Sequence, residues 1–359
     1  MQIPSAVRLA FGLAGDEPEL DVEHVPSMIN ATFIVRPSGA DPLVLQRLHP
    51  VFGATVHVDI EAVTKHLAAR GLVTPRLIHT RDGALWFEER SSGAASHVWR
   101  ALSYVDGVTI HESDDAARLE SAGALLGQFH SALGDLQHEF VHHRPLHDTP
   151  RHLANLEAAL RSVRGQTDAE AQALGVRVLE HARSVRVDFG ALPLRVIHGD
   201  PKLSNVMFER ERPERAKCMI DLDTVSRGSL ASELGDALRS WCNPAGEDSR
   251  QARVQPESFA AVVRGYASTC SPDVSRAELL SIVDGLMTIS VELASRFAAD
   301  AINDSYFGWD ASRYASRREH NLVRAGGQLA LSLAARAAHG HLERLVEDAF
   351  ERVLAPRAR

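Results

Sequence analysis

Cysteine is nearly absent from this chain, and its three cysteines, Cys218, Cys242 and Cys270, include no C-x-x-C pair. An odd count without that spacing gives neither a disulfide framework nor a zinc site, and it fits a reducing compartment. No apolar run approaches the ~18–20 residues that a membrane-spanning helix needs. The start MQIPSAVRLAFGLAG is too short and glycine-broken to read as a cleaved signal peptide. The expectation is a cytoplasmic protein with no membrane partner. Clustered basic residues are missing too: 39 Lys and Arg are interspersed among 47 Asp and Glu, for a net charge of -8, which excludes a nucleic-acid footprint. Lysine is scarce relative to arginine, a bias that carries no functional reading. Internal repeats are lacking, and the loop from Ala245 to Gln255 is the one mildly low-complexity stretch.

What is present is an ordinary globular composition, 45% hydrophobic and 24% charged over 359 residues, enough for one large domain or two lobes. The first hundred residues read as strands with one helix. NATFIVR and PLVLQRL are short apolar runs bounded by Pro and Gly. TVHVDIEAVTKHLAARG places Ile60, Val63 and Leu67 at helical spacing and closes on Gly71. Asp82-Gly83, between two extended runs, predicts a hairpin, and SHVWRALSYVDG supplies a fifth extended segment. From about Val108 the pattern turns helical. Leu119, Leu125, Leu126 and Phe129 share a face. Thr149-Pro150 opens a helix as N-cap and first residue. Ser275 with Glu278 makes a capping box ahead of a long helix. Two short strands, LRVIHG and KCMIDLD, interrupt this region. The order predicts an α+β, protein-kinase-like two-lobed fold: a small N-terminal antiparallel sheet lobe with one helix over 1–105, and a larger, mainly helical lobe over 106–359.

Within the helical part, VIHGDPKLSNVMF sets Asp200 and Asn205 between aliphatic runs, an expensive place for polar groups unless they hold something specific. Phosphoryl transfer to a hydroxyl needs a carboxylate near the attacking oxygen and hard oxygen ligands for magnesium. The five-residue separation lets Asp200 and Asn205 face a common cleft, with Leu203 and Val206 anchoring the loop below. A second strand, MIDLDT, ends on Asp221, with Asp223 two residues on. The interval between Asn205 and Asp221 suits a hairpin whose variable tip is ERERPERAK.

H-G-D-x-x-x-x-N followed by IDLD resembles the signature of the aminoglycoside phosphotransferase and choline kinase superfamily. INATFIV, LVLQRL, IEAVTKHL, WRALSYVDG, HDTP, GDALRS and RFAAD, taken in order with the core motif, resemble the N-acetylhexosamine 1-kinase group within it, over nearly the whole chain. The resemblance implies ATP and Mg²⁺ as cofactors. It further implies Asp200 as catalytic base or hydroxyl-orienting residue, Asn205 and Asp221 as magnesium ligands, His198 as a structural holder of the loop, and Asp236 as a buried brace of that loop.

The phosphate loop G-x-G-x-x-G is missing, and VPSMINATF stands in its place, where Ser27, Asn30 and Thr32 could contact phosphate oxygens or simply form a turn. The usual strand lysine is missing as well. Gln46 aligns better by counting, whereas Arg47 carries the charge and is preferred for that reason. Glu61 resembles the helix glutamate that pairs with this basic residue; an exposed ion pair is the bland alternative. The resemblance places adenine against the connecting strand near Ser103, Tyr104 and Val105. For the acceptor, Glu292, Arg296 and Asp300 recur at i, i+4 and i+8 on one helix, which is either an exposed face with one Glu–Arg pair or, with Tyr306, a sugar site. Arg239 is a further candidate whose alternative is an ion pair inside the lobe. His142-His143 lack metal-ligand spacing, and Trp309 could stack on a sugar ring.

These readings converge on an ATP- and magnesium-dependent kinase for a sugar hydroxyl, most simply the anomeric hydroxyl of an N-acetylhexosamine, as a monomer or homodimer. The alternatives are an aminoglycoside, choline or homoserine acceptor, or a catalytically silent nucleotide-binding scaffold of the same fold.

Overall fold

A computed structural model describes residues 3–13, 20–25, 30–89, 96–141, 147–185 and 188–354. The chain divides into two compact units. The first takes residues 1–107 together with two remote segments, 135–143 and 220–226; the second takes the rest.

The first unit contains α1 (Ser5–Ala10), β1 (Asp21–Val25), β2 (Ala31–Arg36), β3 (Leu43–Arg47), α2 (Val56–Ala69), β4 (Leu77–Ile78), β5 (Phe87–Glu89) and β6 (His97–Ser103). The antiparallel sheet runs β1-β2-β3-β6-β4, with β5 also on β6. Period-two alternation sends Phe33, Val35, Leu43, Leu45, Trp99 and Ala101 to one face, where they bury against Val7 and Phe11. The opposite face carries a row across three strands, in which Thr32 pairs with Gln46 and Gln46 with Arg100. Helix α2 ends as expected, with Gly71 at φ +77°. The hairpin expected around Asp82-Gly83 is not formed. Gly83 does turn at φ +86°, but β4 and β5 pair side by side with β6, at Leu102–Ala101 and at Trp99–His97, and not with each other. The two runs are pieces of one edge strand, and the turn belongs to the excursion between them.

The second unit contains β7 (Val108–Thr109), α3 (Ala116–Leu133), α4 (Thr149–Arg161), α5 (Val163–Thr167), α6 (Ala169–Ala182), β8 (Leu194–Ile197), β9 (Val206–Phe208), β10 (Ala216–Met219) and β11 (Ser226–Ser229). After these come α7 (Leu230–Trp241), α8 (Pro256–Thr269), α9 (Arg276–Leu280), α10 (Ile282–Asn303), α11 (Arg317–Ala337) and α12 (His339–Leu354). Helices α3 and α8 pack backbone to backbone: a Cβ on Gly265 would sit 1.9 Å from the Glu120 carbonyl, and one on Gly123 2.2 Å from that of Val262. Phe297, Ile302, Leu322 and Leu329 join Leu156, Leu160 and Val178 in a second core. Two helix starts refine the sequence reading. Asp148, not Thr149, caps α4 by accepting from the Arg151 amide at 3.1 Å. The Ser275–Glu278 capping box is present but starts the short α9, which breaks at Ser281 before the long α10. No helix among the described residues is long and apolar enough to cross a membrane.

Candidate active site

Strand β8 delivers His198, Gly199 and Asp200 into a loop whose backbone is held from below. Gly199 adopts φ +83°, which any side chain would oppose. Glu233, fully buried on α7, accepts the amides of His198 and Gly199, each at 2.9 Å. His130 adds a contact to Glu233 at 3.2 Å and is itself 2.9 Å from the Tyr266 hydroxyl. Burial raises the Glu233 carboxyl, but the His130 hydrogen bond, the His130 and His198 charges and the Gly199 amide outweigh it and hold the group below the usual carboxylate range. The sequence reading assigned this brace to Asp236. That residue instead accepts from Arg239 Nε at 2.8 Å, and Arg239 also reaches Glu247 at 3.3 Å. The pair is buried, which places Arg239 in an ion pair inside the unit. Despite the burial that opposes it, the Arg239 charge keeps Asp236 depressed.

Three side chains converge at the loop tip. Asn205 Nδ2 donates to the Asp200 carbonyl at 2.8 Å and to its Oδ2 at 3.2 Å. Lys202 Nζ donates to the same Oδ2 at 2.6 Å. Asp200 keeps about a third of its side chain in solvent, at 32% exposure, whereas Leu203 and Val206 are fully buried and anchor the loop as expected. Ser240 Oγ accepts the Leu203 amide at 3.2 Å. His198 is buried with its Nδ1 accepting from the Asp200 amide at 3.3 Å, a position from which it shapes the loop. Sequence reasoning missed Lys202 and Glu233. The signal for Lys202 was its place in the motif, two residues after Asp200; Glu233 had none, being one of several polar residues on α7.

Asn205 leads directly into β9, and β9 pairs with β10 so that Val206 lies opposite Met219. The expected hairpin is formed, closed at its tip by the Glu209 amide on the Arg215 carbonyl at 2.9 Å. Beyond Met219 the chain enters segment 220–226 of the first unit. There Asp221 is left-handed, with φ 64° and ψ 58°, a conformation that costs an aspartate about 1 kcal/mol or more. Asp223 follows, buried and gripped by the fork of Arg100, whose NH1 meets Oδ1 and whose NH2 meets Oδ2 at 2.9 Å. Asn30 Nδ2 adds a bond to Oδ2 at 2.8 Å. Burial raises the Asp223 carboxyl, and the Arg100 charge with these hydrogen bonds overrides it, leaving the group depressed. His57 lies in the same environment; burial and the Arg100 charge push it down to about 4, so it is neutral near pH 7.

Several expectations for the nucleotide side change. Gln46, not Arg47, faces Asp223: strand parity puts Arg47 on the other face, between Ala31 and Trp99. Gln46 takes a hydrogen bond from Arg100 Nε at 2.8 Å and gives one to Thr32 Oγ1 at 3.0 Å. Asn30 accepts the His49 amide at 2.9 Å while donating to Asp223, so Asn30 and Thr32 spend their side chains inside the unit. Glu61 pairs with Arg76 at 3.2 Å and lies 3.9 Å from His79, and does not pair with the strand residue. Ser103 is tied to Arg76 through both its amide, at 2.8 Å, and its hydroxyl, at 2.9 Å. The Tyr104 amide reaches the Pro42 carbonyl at 3.4 Å. Val105, next in the chain, is half-buried. Ser27, His142 and His143 lie outside the described residues.

The helix face of Glu292, Arg296 and Asp300 is not a solvated one. Glu292 is fully buried and receives His147 at 3.1 Å and the Thr149 hydroxyl at 2.7 Å. Burial opposes His147's charge, but Glu292 wins and raises its pKa. Asp300 is buried and accepts the amides of Ser305, Tyr306 and Phe307 at 2.8–3.0 Å and the Asn321 side chain at 2.9 Å. It is therefore the organiser of the 305–307 turn rather than a free ligand. Arg296 is half-buried with its guanidinium 5.4 Å from the Phe307 ring centre, and the turn leaves Tyr306 56% and Trp309 36% exposed.

Residues 21–269 match the phosphotransferase enzyme family (APH). A homoserine kinase from Beijerinckia indica subsp. indica is 28% identical over 180 residues, 50% of this chain and 51% of that protein, so the chain matches about half the length of this curated relative. Among solved structures, a microcompartment-associated aminopropanol kinase superposes with a TM-score of 0.60 at 18% identity, covering 89% of this chain and 94% of that one. An amicoumacin kinase bound to AMP-PNP, Ca²⁺ and its antibiotic gives 0.58 at 13%, covering 92% and 89%. An aminoglycoside phosphotransferase from Alicyclobacillus acidocaldarius subsp. acidocaldarius gives 0.57 at 16%, covering 95% and 97%. At these identities the likeness is one of fold, and it is the α+β, two-lobed kinase-like fold expected from the order of elements.

Proposed function

The chain belongs to the phosphotransferase enzyme family, and from that premise we propose that it transfers the γ-phosphoryl group of ATP to a hydroxyl of a small sugar, most simply the anomeric hydroxyl of an N-acetylhexosamine. The observation that carries the reading is the Asp200 loop: a part-exposed carboxylate with Lys202 and Asn205 both on Oδ2. That leaves Oδ1 to accept the alcohol proton as the oxygen attacks phosphorus, with the proton ending on Asp200. An anomeric hydroxyl is more acidic than an ordinary alcohol, so a weak carboxylate base suffices. Lys202, two residues away, can offset charge on the transferred group.

The donor set suits a hard cation. Asn205 commits its Nδ2 to Asp200 and keeps an amide oxygen as a hard donor, and Asp221 is a carboxylate on a left-handed backbone. Asn205 and Asp221 would hold Mg²⁺, which when bound neutralises phosphate charge. Catalysis by the chain's own residues is then chiefly orientation of the alcohol and the carboxylate.

The sugar assignment rests on the resemblance carried by RFAAD and on the exposed Tyr306 and Trp309, which in sequence flank the Phe307 that Arg296 lies against. A polycationic acceptor is disfavoured because the acids of this region already have partners: Glu292 has His147 and Thr149, Asp236 has Arg239, and Asp300 has the Ser305, Tyr306 and Phe307 amides, the Ser305 hydroxyl and Asn321. Homoserine stays in view because of the relative at 28% identity. The test is ADP release with hexoses, N-acetylhexosamines, homoserine, amino alcohols and aminoglycosides. Turnover with an N-acetylhexosamine that is lost in Asp200→Asn supports the reading. Turnover confined to homoserine or an amino alcohol replaces the acceptor, and thermal stabilisation by nucleotide without turnover on any acceptor favours the silent scaffold.

A further inference from the structure

Among the described residues of the first unit, Arg100 and Asp223 form the most deeply buried ion pair, with 2% and 3% of their side chains exposed. As a source of stability such a pair is a poor choice, because desolvation cancels most of its attraction and apolar residues of the same volume do as well. What a guanidinium fork adds is geometry: two parallel bonds fix both the place and the plane of a carboxylate. Here that geometry is over-determined. Arg100 lies directly across from Gln46 in the β3–β6 register and donates Nε to it at 2.8 Å. Gln46 is fixed by Thr32 at 3.0 Å. Asn30, held by the His49 amide at 2.9 Å, puts a further bond on Asp223 at 2.8 Å. Bonds from β6 and from the residue ahead of β2 thus end on one carboxylate, and β3 holds the arginine that makes two of them. Only Leu222, itself buried, separates that carboxylate from Asp221, whose left-handed backbone would relax if the segment were free to do so.

The strand position where a kinase would carry its lysine is the neutral Gln46, and the positive charge on this face comes from the neighbouring strand and is directed at the 220–226 segment. We infer that Arg100 is a positioning residue for the metal ligand Asp221: by clamping Asp223 it sets where Asp221 presents its carboxylate, coupling the sheet of the first unit to metal binding. The inference deepens the proposed function and rests on its assignment of Asp221 to the metal.

The test follows binding and not turnover, with Mn²⁺ in place of Mg²⁺ and AMP-PNP as the nucleotide. Mn²⁺ affinity is read by electron paramagnetic resonance in the presence of AMP-PNP, nucleotide affinity in EDTA by calorimetry, and folding by thermal unfolding. The variants are Arg100→Lys, Asp223→Asn and the volume-matched pair Arg100→Met/Asp223→Leu. The expected result is Mn²⁺ affinity lowered about 10–100-fold in all three, nucleotide affinity in EDTA unchanged, and thermal stability recovered in the pair while metal affinity is not. Metal affinity equal to that of the unaltered protein in Arg100→Lys, or metal affinity that recovers together with stability in the pair, overturns the inference and leaves Arg100 a structural residue. Asp221→Ala separates the two levels. If the unaltered protein binds Mn²⁺ no better than Asp221→Ala does, the metal assignment itself falls and the inference with it; if Asp221 matters and Arg100 does not, only the inference falls.

Discussion

The loop that carries Asp200 and the segment that carries Asp221 are each held by a buried carboxylate, Glu233 in one unit and Asp223 in the other, but the two are held in opposite senses. Glu233 reaches into its loop from a helix and takes two backbone amides. Asp223 belongs to its own segment and is seized from outside by the side chains of Arg100 and Asn30. A backbone brace is indifferent to which side chains the loop bears, apart from the glycine its φ requires, so the loop can carry Asp200, Lys202 and Asn205 without compromise. A side-chain brace ties the segment to particular residues on particular strands, and it can be rewritten only by changing both partners.

The comparison can be broken at several strengths. The largest effect is expected at the loop tip, where Asp200→Asn should lower turnover by roughly 10²–10⁴-fold with ATP affinity retained, as measured by ADP release and calorimetry. Next come the two braces. Glu233→Ala and Asp223→Ala should each cost about 3–5 kcal/mol in denaturant unfolding, because each strands buried partners. Arg100→Met should repair most of the loss in Asp223→Ala, whereas no side-chain change within 198–200 should repair Glu233→Ala, since its orphaned groups include two backbone amides. Repair of both, or of neither, would erase the distinction between the braces.

A third contrast is in pH. His57, in the first unit, titrates at about 4 when folded against about 6.5 when unfolded. Between these values the unfolded chain binds a proton that the folded chain does not, so stability falls as pH drops from 6.5 toward 4, by about 3 kcal/mol in full. His147, in the second unit, is raised when folded. Its contribution is complete below pH 6.5 and is lost as pH rises through the folded value. His57→Phe should therefore flatten the acid side of the stability curve and His147→Gln the neutral side, as followed by chemical unfolding from pH 4 to 8. Ser240→Ala, which removes one acceptor from the Leu203 amide, should cost only about 1 kcal/mol, a check that the Asp200 loop owes its position mainly to Glu233.

Some of these residues could be read before any coordinates. The Asp200–Asn205 spacing with buried Leu203 and Val206, the β9–β10 hairpin between Asn205 and Asp221, the Gly71 end of α2 and the Ser275 capping box are all local patterns, and each is present. Others could not. Choosing between Gln46 and Arg47 required knowing which face of β3 looks toward Asp223, because a one-residue step inverts every side chain. Glu61 found Arg76 and Asn30 found Asp223 across 15 and 193 residues, in ways that no period announces, whereas Asp236 and Arg239 are an i, i+3 pair on one helix, the spacing behind the ion-pair alternative. The Asp82-Gly83 turn was legible as a turn, but the partner of its flanking strands was β6.

By itself, then, the sequence determined what short-range physics controls: where helices start and stop, which residues alternate toward a core, the loop that puts a carboxylate five residues before an amide, and with these the family. Tertiary structure alone decided which buried charges face each other. Glu233 under the Asp200 loop and Arg100 on Asp223 are pairings over tens to hundreds of residues, and a charge leaves water only where the fold has already assembled its partner.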